Sequence, residues 1–477
     1  MTLTLLPSRL VKCFSLSSSA AAASSTATSL QEIASTCPKG VAKVVLKKGK
    51  TQLFKNGSPM VYSGAVDRIV GRPPPNTGDV VLVADQTEKP IGWGFYNSVS
   101  MFCVRLMQLE EEATRDPASA LNVERLIEQR IDAATELRRH LGLPSTHTNA
   151  YRLVNSQGDR LSGLIVDVFD DVAVVASSAA WVEKYKPEIE TCLSKVNVIS
   201  YINWRPSLEI LKEEGIDVSK FKHTPSAAPS ARSVFPVVGF EILRVVPMRV
   251  VSDYLCRLTI SNLSQVKESG ITYSISLDGQ KTGFYADQRE NRQFIATIAQ
   301  GKTVLDMCCY SGGFALNAAR GGAASVTGVD SSLPALELAK ENVILNDLDP
   351  ETISFLKQDA TDFMKSAAAR NEFWDIVILD PPKLAPRREV LQNASKMYRN
   401  LNALAMRQIK KGGLLMTCSC SGAMTQSGTF MRVIQGAAAM ADRKVTLLRQ
   451  AGAASDHPID PSYPEGAYLS NILLRVL

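Results

Sequence analysis

The chain has 477 residues, of which 45% are hydrophobic and 21% are charged. This length and composition allow two or three domains with hydrophobic cores, and they exclude wholesale disorder and a collagen-like repeat. Nine cysteines without a CxxC pair, together with only four histidines, argue against a disulfide scaffold and a zinc ribbon. The net charge of +6 permits a polyanionic partner without identifying one. We expect no membrane-spanning helix, because no apolar run is long enough.

Residues 1–38 begin with a segment rich in serine and alanine, in which Arg9 and Lys12 are the basic residues and no acid precedes Glu32. This composition is typical of an organellar transit peptide. A disordered tail without a targeting role is the alternative. Because serine and alanine dominate and arginine is sparse, we expect a chloroplast location, with the mitochondrion as the alternative.

Residues 39–110 combine short apolar runs with turns rich in glycine and proline, a pattern that predicts a small β-rich barrel. The beginning of this region is basic, since residues 33–66 contain lysines and no acid. Lys47, Lys48 and Lys50 form the densest group and are the predicted phosphate-contacting surface. A solvated charged face is the alternative explanation.

Residues 115–270 are predicted to form a central α+β domain. Apolar residues between Leu121 and Leu141 recur at the spacing of one helical face, and several strand-like runs follow. A stretch near residues 222–264 follows neither a helical nor a strand period. We interpret it as an insertion, with an error in the gene model as the alternative.

Residues 271–477 alternate predicted strands with predicted helices, which indicates a parallel sheet covered by helices on both faces. The predicted strands are Thr303–Met307, Ser325–Val329, Ile353–Leu356, Ile376–Leu379 and Leu414–Thr417. Ligands of such sheets bind beyond the carboxyl ends of the strands. A polar or reactive residue stands at each of these ends, namely Asp306, Asp330, Asp359, Asp380 and Cys418. Helix capping explains any one of them, but five at one edge favour a ligand site.

The loop after the first of these strands predicts a nucleoside ligand. Gly312 and Gly313 allow the backbone to approach a ligand closely before a helix begins. The loop lacks the GxGxxG fingerprint and the P-loop lysine, so dinucleotide and ATP binding are disfavoured. Asp330 ends the second strand, where an acid can accept hydrogen bonds from ribose hydroxyls. An adenosine-containing ligand without a pyrophosphate fits this pattern, and S-adenosylmethionine is such a ligand.

The fourth and fifth strand ends predict nucleophilic chemistry. Asp380 opens an Asp-Pro-Pro-Lys sequence that ends at Lys383, and its prolines stiffen the loop. Cys418 and Cys420 follow the fifth strand. A thiolate can add to C6 of a pyrimidine and thereby activate C5 for methyl transfer, while Asp380 interacts with N3 and Lys383 lowers the thiol pKa or contacts phosphate. The alternative to a catalytic role is that the Asp380 loop is only a rigid turn and that the two cysteines only pack in the core.

Several of these motifs together resemble the RlmI-type methyltransferases, which modify cytosine C5 in large-subunit ribosomal RNA. They are Asp278–Arg292, Val304–Phe314, Asp380–Lys383, Thr417–Ser421, Asp456–Pro458 and Tyr463–Gly466. The resemblance implies a Rossmann-like class I methyltransferase domain of α/β fold, preceded by a PUA-like RNA-binding barrel and a central α+β domain. Two positions depart from the family pattern: Met60 replaces a usual Trp, and Gln157 replaces a usual acid.

The resemblance also implies roles for individual residues. The cofactor side of the site, before the first strand, would be lined by Lys281, Phe284, Asp287, Gln288 and Arg289. Asp306 and Gly312 would hold the methionine end of S-adenosylmethionine, Asp330 the ribose and Asp359 the adenine amino group, with Asp380 beside the methyl donor. The thiol directly after Thr417 would be the nucleophile, which favours Cys418 and leaves Cys420 as the second candidate.

We therefore predict an organellar enzyme that methylates cytosine C5 in ribosomal RNA with S-adenosylmethionine, without a metal and without a membrane anchor. A homodimer is compatible with the sequence. One alternative is a guanine-N7 methyltransferase, which would not need a cysteine because N7 is already nucleophilic. The other alternative is an RNA-binding ribosome assembly factor that retains the fold without catalysis.

Overall fold

The structure of the protein is a computed structural model that describes residues 29–38, 40–221, 263–276, 282–385 and 387–477. The first 28 residues of the predicted transit peptide, residues 222–262 of the predicted insertion near 222–264, and Lys281 lie outside the described residues. Within the described ranges the strands form sheets of six, four, two and seven strands. No helix in these ranges is both long and apolar enough to cross a membrane.

The N-terminal domain contains the six-stranded sheet. Its helices and strands are α1 (Leu30–Ser35), β1 (Ala42–Leu46), α2 (Thr51–Lys55), β2 (Met60–Tyr62), β3 (Val66–Val70), β4 (Val80–Ala84), β5 (Pro90–Tyr96), β6 (Phe102–Leu109) and α3 (Glu110–Arg115). The strands follow the order β2-β6-β5-β4-β1-β3, and only the β1–β4 pair is parallel. Apolar side chains such as Val44, Phe54 and Val104 form a core of its own.

The central domain packs helices against a four-stranded sheet of order β10-β9-β8-β7. Its helices and strands are α4 (Val123–His140), β7 (Ala150–Asn155), β8 (Leu164–Phe169), β9 (Val172–Ser177), α5 (Ala180–Lys184), α6 (Lys186–Ser194), β10 (Tyr201–Pro206) and α7 (Leu208–Glu213). The predicted helix is confirmed as α4. The side chain of Asn122 caps its first turn, and Leu126, Ile127 and Ile131 bury its apolar face.

The C-terminal domain contains a seven-stranded sheet of order β15-β14-β13-β16-β17-β19-β18, in which only β19 runs antiparallel to its neighbours. A hairpin of β11 (Leu263–Glu268) and β12 (Ile271–Ser276) precedes it. The other strands are β13 (Thr303–Met307), β14 (Ser325–Asp330), β15 (Ile353–Lys357), β16 (Trp374–Leu379), β17 (Ile409–Ser419), β18 (Val445–Ala451) and β19 (Ser470–Val476). The helices are α8 (Arg289–Ile298), α9 (Gly313–Arg320), α10 (Leu333–Leu345), α11 (Ala360–Ala369), α12 (Leu391–Arg407), α13 (Gly422–Gln426) and α14 (Thr429–Met440).

Apolar side chains make contacts across both domain boundaries. The rings of Phe95 in the N-terminal domain and Trp181 in the central domain stack with their centroids 4.7 Å apart. Phe169 of the central domain meets Phe284 of the C-terminal domain edge to face at 6.4 Å. Because burial of such rings contributes strongly to packing, the domains are held by shared hydrophobic contacts as well as by polar ones.

A buried carboxylate joins the central and C-terminal domains. Both oxygens of Asp456 accept hydrogen bonds from the guanidinium of Arg289, at 2.9 and 3.0 Å, and one also accepts from the backbone N–H of Arg152 at 2.8 Å. Burial opposes ionisation of Asp456, but hydrogen bonding to His457 and the charge of Arg289 hold its pKa well below the usual range. Asp456 is therefore ionised and fixed at this junction.

The backbone after Asp456 fits closely against the central domain. A β-carbon at Gly158 would collide with the carbonyl oxygen of Pro458, so a side chain at 158 is not accommodated. The same carbonyl accepts a hydrogen bond of 2.8 Å from the side-chain amide of Asn155. The segment that leads into β19 is thus held by the central domain.

Candidate active site

The order of the C-terminal sheet brings the predicted polar residues to one edge. Asp330 is the last residue of β14, Asp306 is the last but one of β13, Asp380 follows β16, and the cysteine-containing segment spans the end of β17. These four strands are neighbours in the sheet and parallel to one another. Asp359 follows β15, one strand further out. The carboxyl ends of these strands therefore form a continuous edge that can receive a ligand.

Asp306 is fully buried at this edge. One carboxylate oxygen accepts a hydrogen bond of 2.9 Å from the backbone N–H of Ala315, and the other has no hydrogen-bond partner among the described residues. Burial raises the pKa of Asp306 well above its usual value, and the nearby charges of Asp380 and Asp330 raise it further. A buried, unsatisfied carboxylate oxygen of this kind fits a cationic donor such as an ammonium group.

The loop between β13 and α9 is shaped by backbone contacts. Gly312 has a φ of +83°, a left-handed conformation that glycine adopts without steric cost, and it is the last residue before α9. The backbone N–H groups of Cys308 and Cys309 donate to the carbonyl of Val329 at 2.8 and 3.1 Å. The loop is thereby held against the end of β14, with its glycine backbone at the strand edge.

The two outer carboxylates support backbone turns. Asp330 accepts hydrogen bonds from the backbone N–H groups of Tyr310, at 2.9 Å, and Ser332, at 2.8 Å. Each carboxylate oxygen has a second acceptor position, so binding of ribose hydroxyls is compatible with these bonds. Asp359 is exposed, and one of its oxygens caps α11 by accepting from the N–H of Thr361 at 2.8 Å. Asp359 therefore lies at the solvent-accessible end of the same edge.

Only some of the residues that were predicted to line the cofactor side, before the first strand, contact this edge. Gln288 is buried and donates a hydrogen bond of 3.1 Å from Nε2 to Asp380. Asp287 is buried one residue earlier and accepts a hydrogen bond of 2.8 Å from the hydroxyl of Tyr468. Lys281 lies outside the described residues.

Phe284 and Arg289, also expected on the cofactor side, make contacts with other buried side chains. Phe284 packs against Tyr273, with ring centroids 5.0 Å apart, and under the guanidinium of Arg292 at 5.0 Å. Arg289 is paired with Asp456 at the domain junction. Both side chains thus contribute to the buried interior between domains through ring contacts and an ion pair.

The preference for Cys418 as nucleophile is not supported by its position. Cys418 is fully buried, and its Sγ accepts a hydrogen bond from the side-chain amide of Asn471 at 3.2 Å. Burial raises the pKa of the Cys418 thiol well above its usual value, and the charge of Asp380 raises it further. A thiol that is inaccessible and held protonated is a poor nucleophile.

Cys420 is the accessible thiol of the pair. It is half-buried, it follows the end of β17, and its Sγ lies 4.0 Å from the carbonyl oxygen of Pro381, the residue after Asp380. Ser421 fixes this arrangement, because its hydroxyl accepts a hydrogen bond of 3.0 Å from the backbone N–H of Ala385. The loops that carry Asp380 and Cys420 are therefore tied together. Lys383 is exposed on the first of them.

Two residues of the site were not predicted from the sequence. Asn291 donates a hydrogen bond of 2.8 Å to Oε1 of Gln288 and thereby orients its amide. Asn471 faces Cys418 from β19. Asn291 lies on a helix that also buries Arg289 and Arg292, and Asn471 precedes an apolar run of β19. Their partners could not be inferred without the fold.

The geometry and the family matches together define the class of protein. Residues 247–442 match the family model described as S-adenosylmethionine-dependent methyltransferase, and residues 44–109 match the PUA-like domain. Two solved methyltransferase structures share the fold: one in complex with SAH has a TM-score of 0.70 at 20% identity, and one from Streptococcus mutans has a TM-score of 0.68 at 21% identity. Each comparison covers 91% of this chain and 99% of the other. The protein is an S-adenosylmethionine-dependent methyltransferase with an N-terminal PUA-like domain, as predicted.

The sequence relatives identify the particular family. The chain is 33% identical over 436 residues to the ribosomal RNA large subunit methyltransferase I of Alteromonas mediterranea, and 29% identical over 436 residues to that of Escherichia coli. Both matches cover 91% of this chain and 99% of the relative. The chain belongs to the ribosomal RNA large subunit methyltransferase I family, which confirms the predicted family.

Proposed function

We propose that this enzyme methylates C5 of a cytosine in large-subunit ribosomal RNA, with Cys420 as the nucleophile. The observation that carries the proposal is the accessible Cys420 thiol beside the Asp380 loop, at the strand edge where Asp306 has an unsatisfied oxygen. The RNA substrate is supported by the names of the relatives, which are ribosomal RNA large subunit methyltransferases.

The residues at the strand edge fit S-adenosylmethionine, which supplies an electrophilic methyl group when bound. The unsatisfied oxygen of Asp306 would accept from the ammonium of the methionine end, and the Gly312 backbone leaves room beside it. Asp330 would accept from the ribose hydroxyls, and Asp359 would accept from the adenine amino group at the open end. Both Asp306 and Asp380 belong to this carboxylate cluster, which favours binding of a cation.

The chemistry of the target base explains the need for a thiol. C5 of cytosine is a weak nucleophile, and addition of the Cys420 thiolate to C6 makes C5 electron-rich. C5 then forms a bond to the methyl carbon as the bond from that carbon to sulfur breaks. A base removes the proton from C5, and the bond between Cys420 and C6 breaks to release the thiolate. The carboxylate of Asp380 would accept a hydrogen bond from N3–H of the adduct, after N3 has taken a proton from solvent, and would thereby stabilise the adduct.

Trapping of the covalent adduct tests this proposal. RNA that contains 5-fluorocytosine cannot lose its C5 substituent as a proton, so the adduct should persist when S-adenosylmethionine is present. Cys420→Ala should abolish the adduct. The matched control Cys418→Ala should retain it, because Cys418 is buried.

Three outcomes would contradict the proposal. An adduct that persists in Cys420→Ala, or one that is lost only in Cys418→Ala, would exclude Cys420 as the nucleophile. Formation of 7-methylguanine in ribosomal RNA without any adduct would favour the guanine-N7 alternative.

A further inference from the structure

A cavity of about 910 Å³ lies where the three domains meet. The turn before β6 contributes Met101, the central domain contributes Asn155 and Ile210, and the segment before β19 contributes Tyr463 and Tyr468. This volume is in the range of pockets that enclose small organic ligands. None of the described residues that are assigned to S-adenosylmethionine lines it.

Among the described residues, three arginines (Arg105, Arg152 and Arg205) and three glutamates (Glu213, Glu214 and Glu465) line the cavity, so the charges of its wall balance. Arg105 pairs with Glu214 at 3.0 Å, and Arg152 pairs with Asp167 at 2.6 Å. Uncharged polar side chains, including Asn155 and Ser178, line the same space. A wall that carries equal numbers of positive and negative side chains, together with neutral hydrogen-bonding groups, is suited to an uncharged, polar-edged ring rather than to a phosphate.

The rim of the cavity presents apolar side chains from two domains. Met101 is 67% exposed on the N-terminal domain, and Ile210 is 46% exposed on α7. Tyr463 and Tyr468 add aromatic surface from the C-terminal domain. Unstacked bases of single-stranded RNA bind to surfaces of this kind by stacking.

Two contacts connect the cavity with the candidate active site. Tyr468 lines the cavity and donates a hydrogen bond of 2.8 Å to Asp287, which precedes the Gln288 that contacts Asp380. In addition, Arg387 in the loop that begins at Asp380 pairs with Glu213 of the cavity wall at 2.5 Å. The cavity is therefore adjacent to the site where the target base would react.

We propose that this cavity binds the base of an unpaired nucleotide next to the methylated cytosine. The inference rests on the proposed function, since it assumes an RNA substrate. It adds a second base-binding site, formed jointly by the three domains. The enzyme would therefore recognise a single-stranded RNA segment in which the target cytosine and a neighbouring base are both unstacked.

Site-specific photo-crosslinking tests the location of that base. The full chain would carry p-benzoylphenylalanine in place of Met101 or Ile210 and would be incubated with unmodified large-subunit ribosomal RNA and S-adenosylmethionine. We expect crosslinks within one or two nucleotides of the methylated cytosine. The same photoreactive residue at Met440, which is 46% exposed on α14, is the matched control and should not crosslink there.

Methylation measured in the same samples separates the two proposals. Absence of 5-methylcytosine would overturn the proposed function. Methylation without crosslinks from position 101 or 210, or with crosslinks only to distant or paired nucleotides, would overturn the cavity assignment alone.

The KM for RNA of a cavity variant provides an independent test. Ile210→Asp places a negative charge where the base would make apolar contact, which should raise the KM for RNA about 10-fold, with the Kd for S-adenosylmethionine unchanged. Ile344→Asp, at a position that is 73% exposed on α10, should leave both values unchanged. Equal KM values for the two variants would contradict the proposal.

Discussion

The side-chain amide of Gln288 donates a hydrogen bond of 3.1 Å to the carboxylate of Asp380. The orientation of this amide is set by Asn291, which donates to Oε1 of Gln288 at 2.8 Å and also to the carbonyl of Gly452 at 3.1 Å. Arg449 in turn donates to Oδ1 of Asn291 at 2.8 Å. The position of Asp380 is therefore controlled by a chain of hydrogen bonds that extends to the edge strand β18.

Gln288→Ala should lower kcat without a comparable loss of cofactor affinity. Loss of a hydrogen bond to a charged group costs about 1.5–3 kcal/mol, which corresponds to roughly 10–100-fold in rate. Methyl transfer to RNA would give kcat, and calorimetry would give the Kd for S-adenosylmethionine, expected to change less than about threefold. Gln52→Ala, which removes an exposed amide of the N-terminal domain, is the control. An unchanged kcat would show that Asp380 does not depend on Gln288.

Asp306→Asn should weaken S-adenosylmethionine binding and stabilise the protein without cofactor. Because the pKa of Asp306 is raised in the folded state, its ionisation destabilises the fold as the pH rises through that pKa. The amide removes this cost, so the thermal unfolding midpoint of the apo variant should be higher at pH 8. Calorimetric titration should show at least a 100-fold loss of affinity, on the order of the cost of an unpaired buried charge. If Asp306→Asn lowered the unfolding midpoint and left the affinity for S-adenosylmethionine unchanged, a role of Asp306 in binding the cofactor would be excluded.

The pH dependence of cofactor affinity follows from the same residue. The carboxylate form of Asp306 is needed to accept from the methionine ammonium. Affinity should therefore fall as the pH decreases through the raised pKa of Asp306, and Asp306→Asn should lack this dependence. Equal pH profiles for both proteins would contradict the assignment.

Asp456→Asn should destabilise the junction between the central and C-terminal domains. Breaking a buried ion pair by removing one partner costs about 3–5 kcal/mol. The pKa of Asp456 is lowered in the folded state, so its contribution is present at neutral pH and is lost as the pH falls below the unfolded value of about 4. Thermal unfolding at pH 7 should therefore show a large decrease for Asp456→Asn and little change for the exposed control Asp442→Asn. Equal midpoints for the two variants would mean that the ion pair contributes little.

Replacement of Lys47, Lys48 and Lys50 with glutamate should weaken RNA binding. All three are exposed in the turn between β1 and α2. If each contacts a phosphate, the slope of log affinity against log salt should decrease by about 2 in magnitude for single-stranded RNA. Fluorescence anisotropy at several salt concentrations measures this slope. A control variant carries glutamate at three exposed lysines of the C-terminal domain, namely Lys340, Lys365 and Lys444. Unchanged affinity of the first variant would refute this placement of the RNA surface.

The sequence alone was sufficient to predict the parallel sheet. The predicted strand Thr303–Met307 coincides with β13, and the other four lie within β14 to β17. Such strands are recognisable because they are buried on both faces and appear as short, continuous apolar runs. The alignment of Asp306, Asp330 and Asp380 follows from the same rule, since parallel strands end at a common edge.

The environment of individual side chains could not be predicted in the same way. Arg289 meets Asp456 across 167 positions of sequence, and no local pattern indicates that partner. The burial of Cys418 depends on β19, which enters the sheet antiparallel and brings Asn471 next to the thiol. Both differences arise from contacts between distant segments, which local periodicity does not encode.

The guanidinium of Arg138 donates to the carbonyl of Asp456 at 2.7 Å, across 318 positions of sequence. During translation the central domain therefore leaves the ribosome long before this acceptor has been synthesised. A nascent or prematurely terminated chain would carry Arg138 without this acceptor and would lack β19 beside Cys418. The contact between Arg138 and Asp456 and the covering of Cys418 by β19 are consequently completed only after the rest of the sheet has been synthesised.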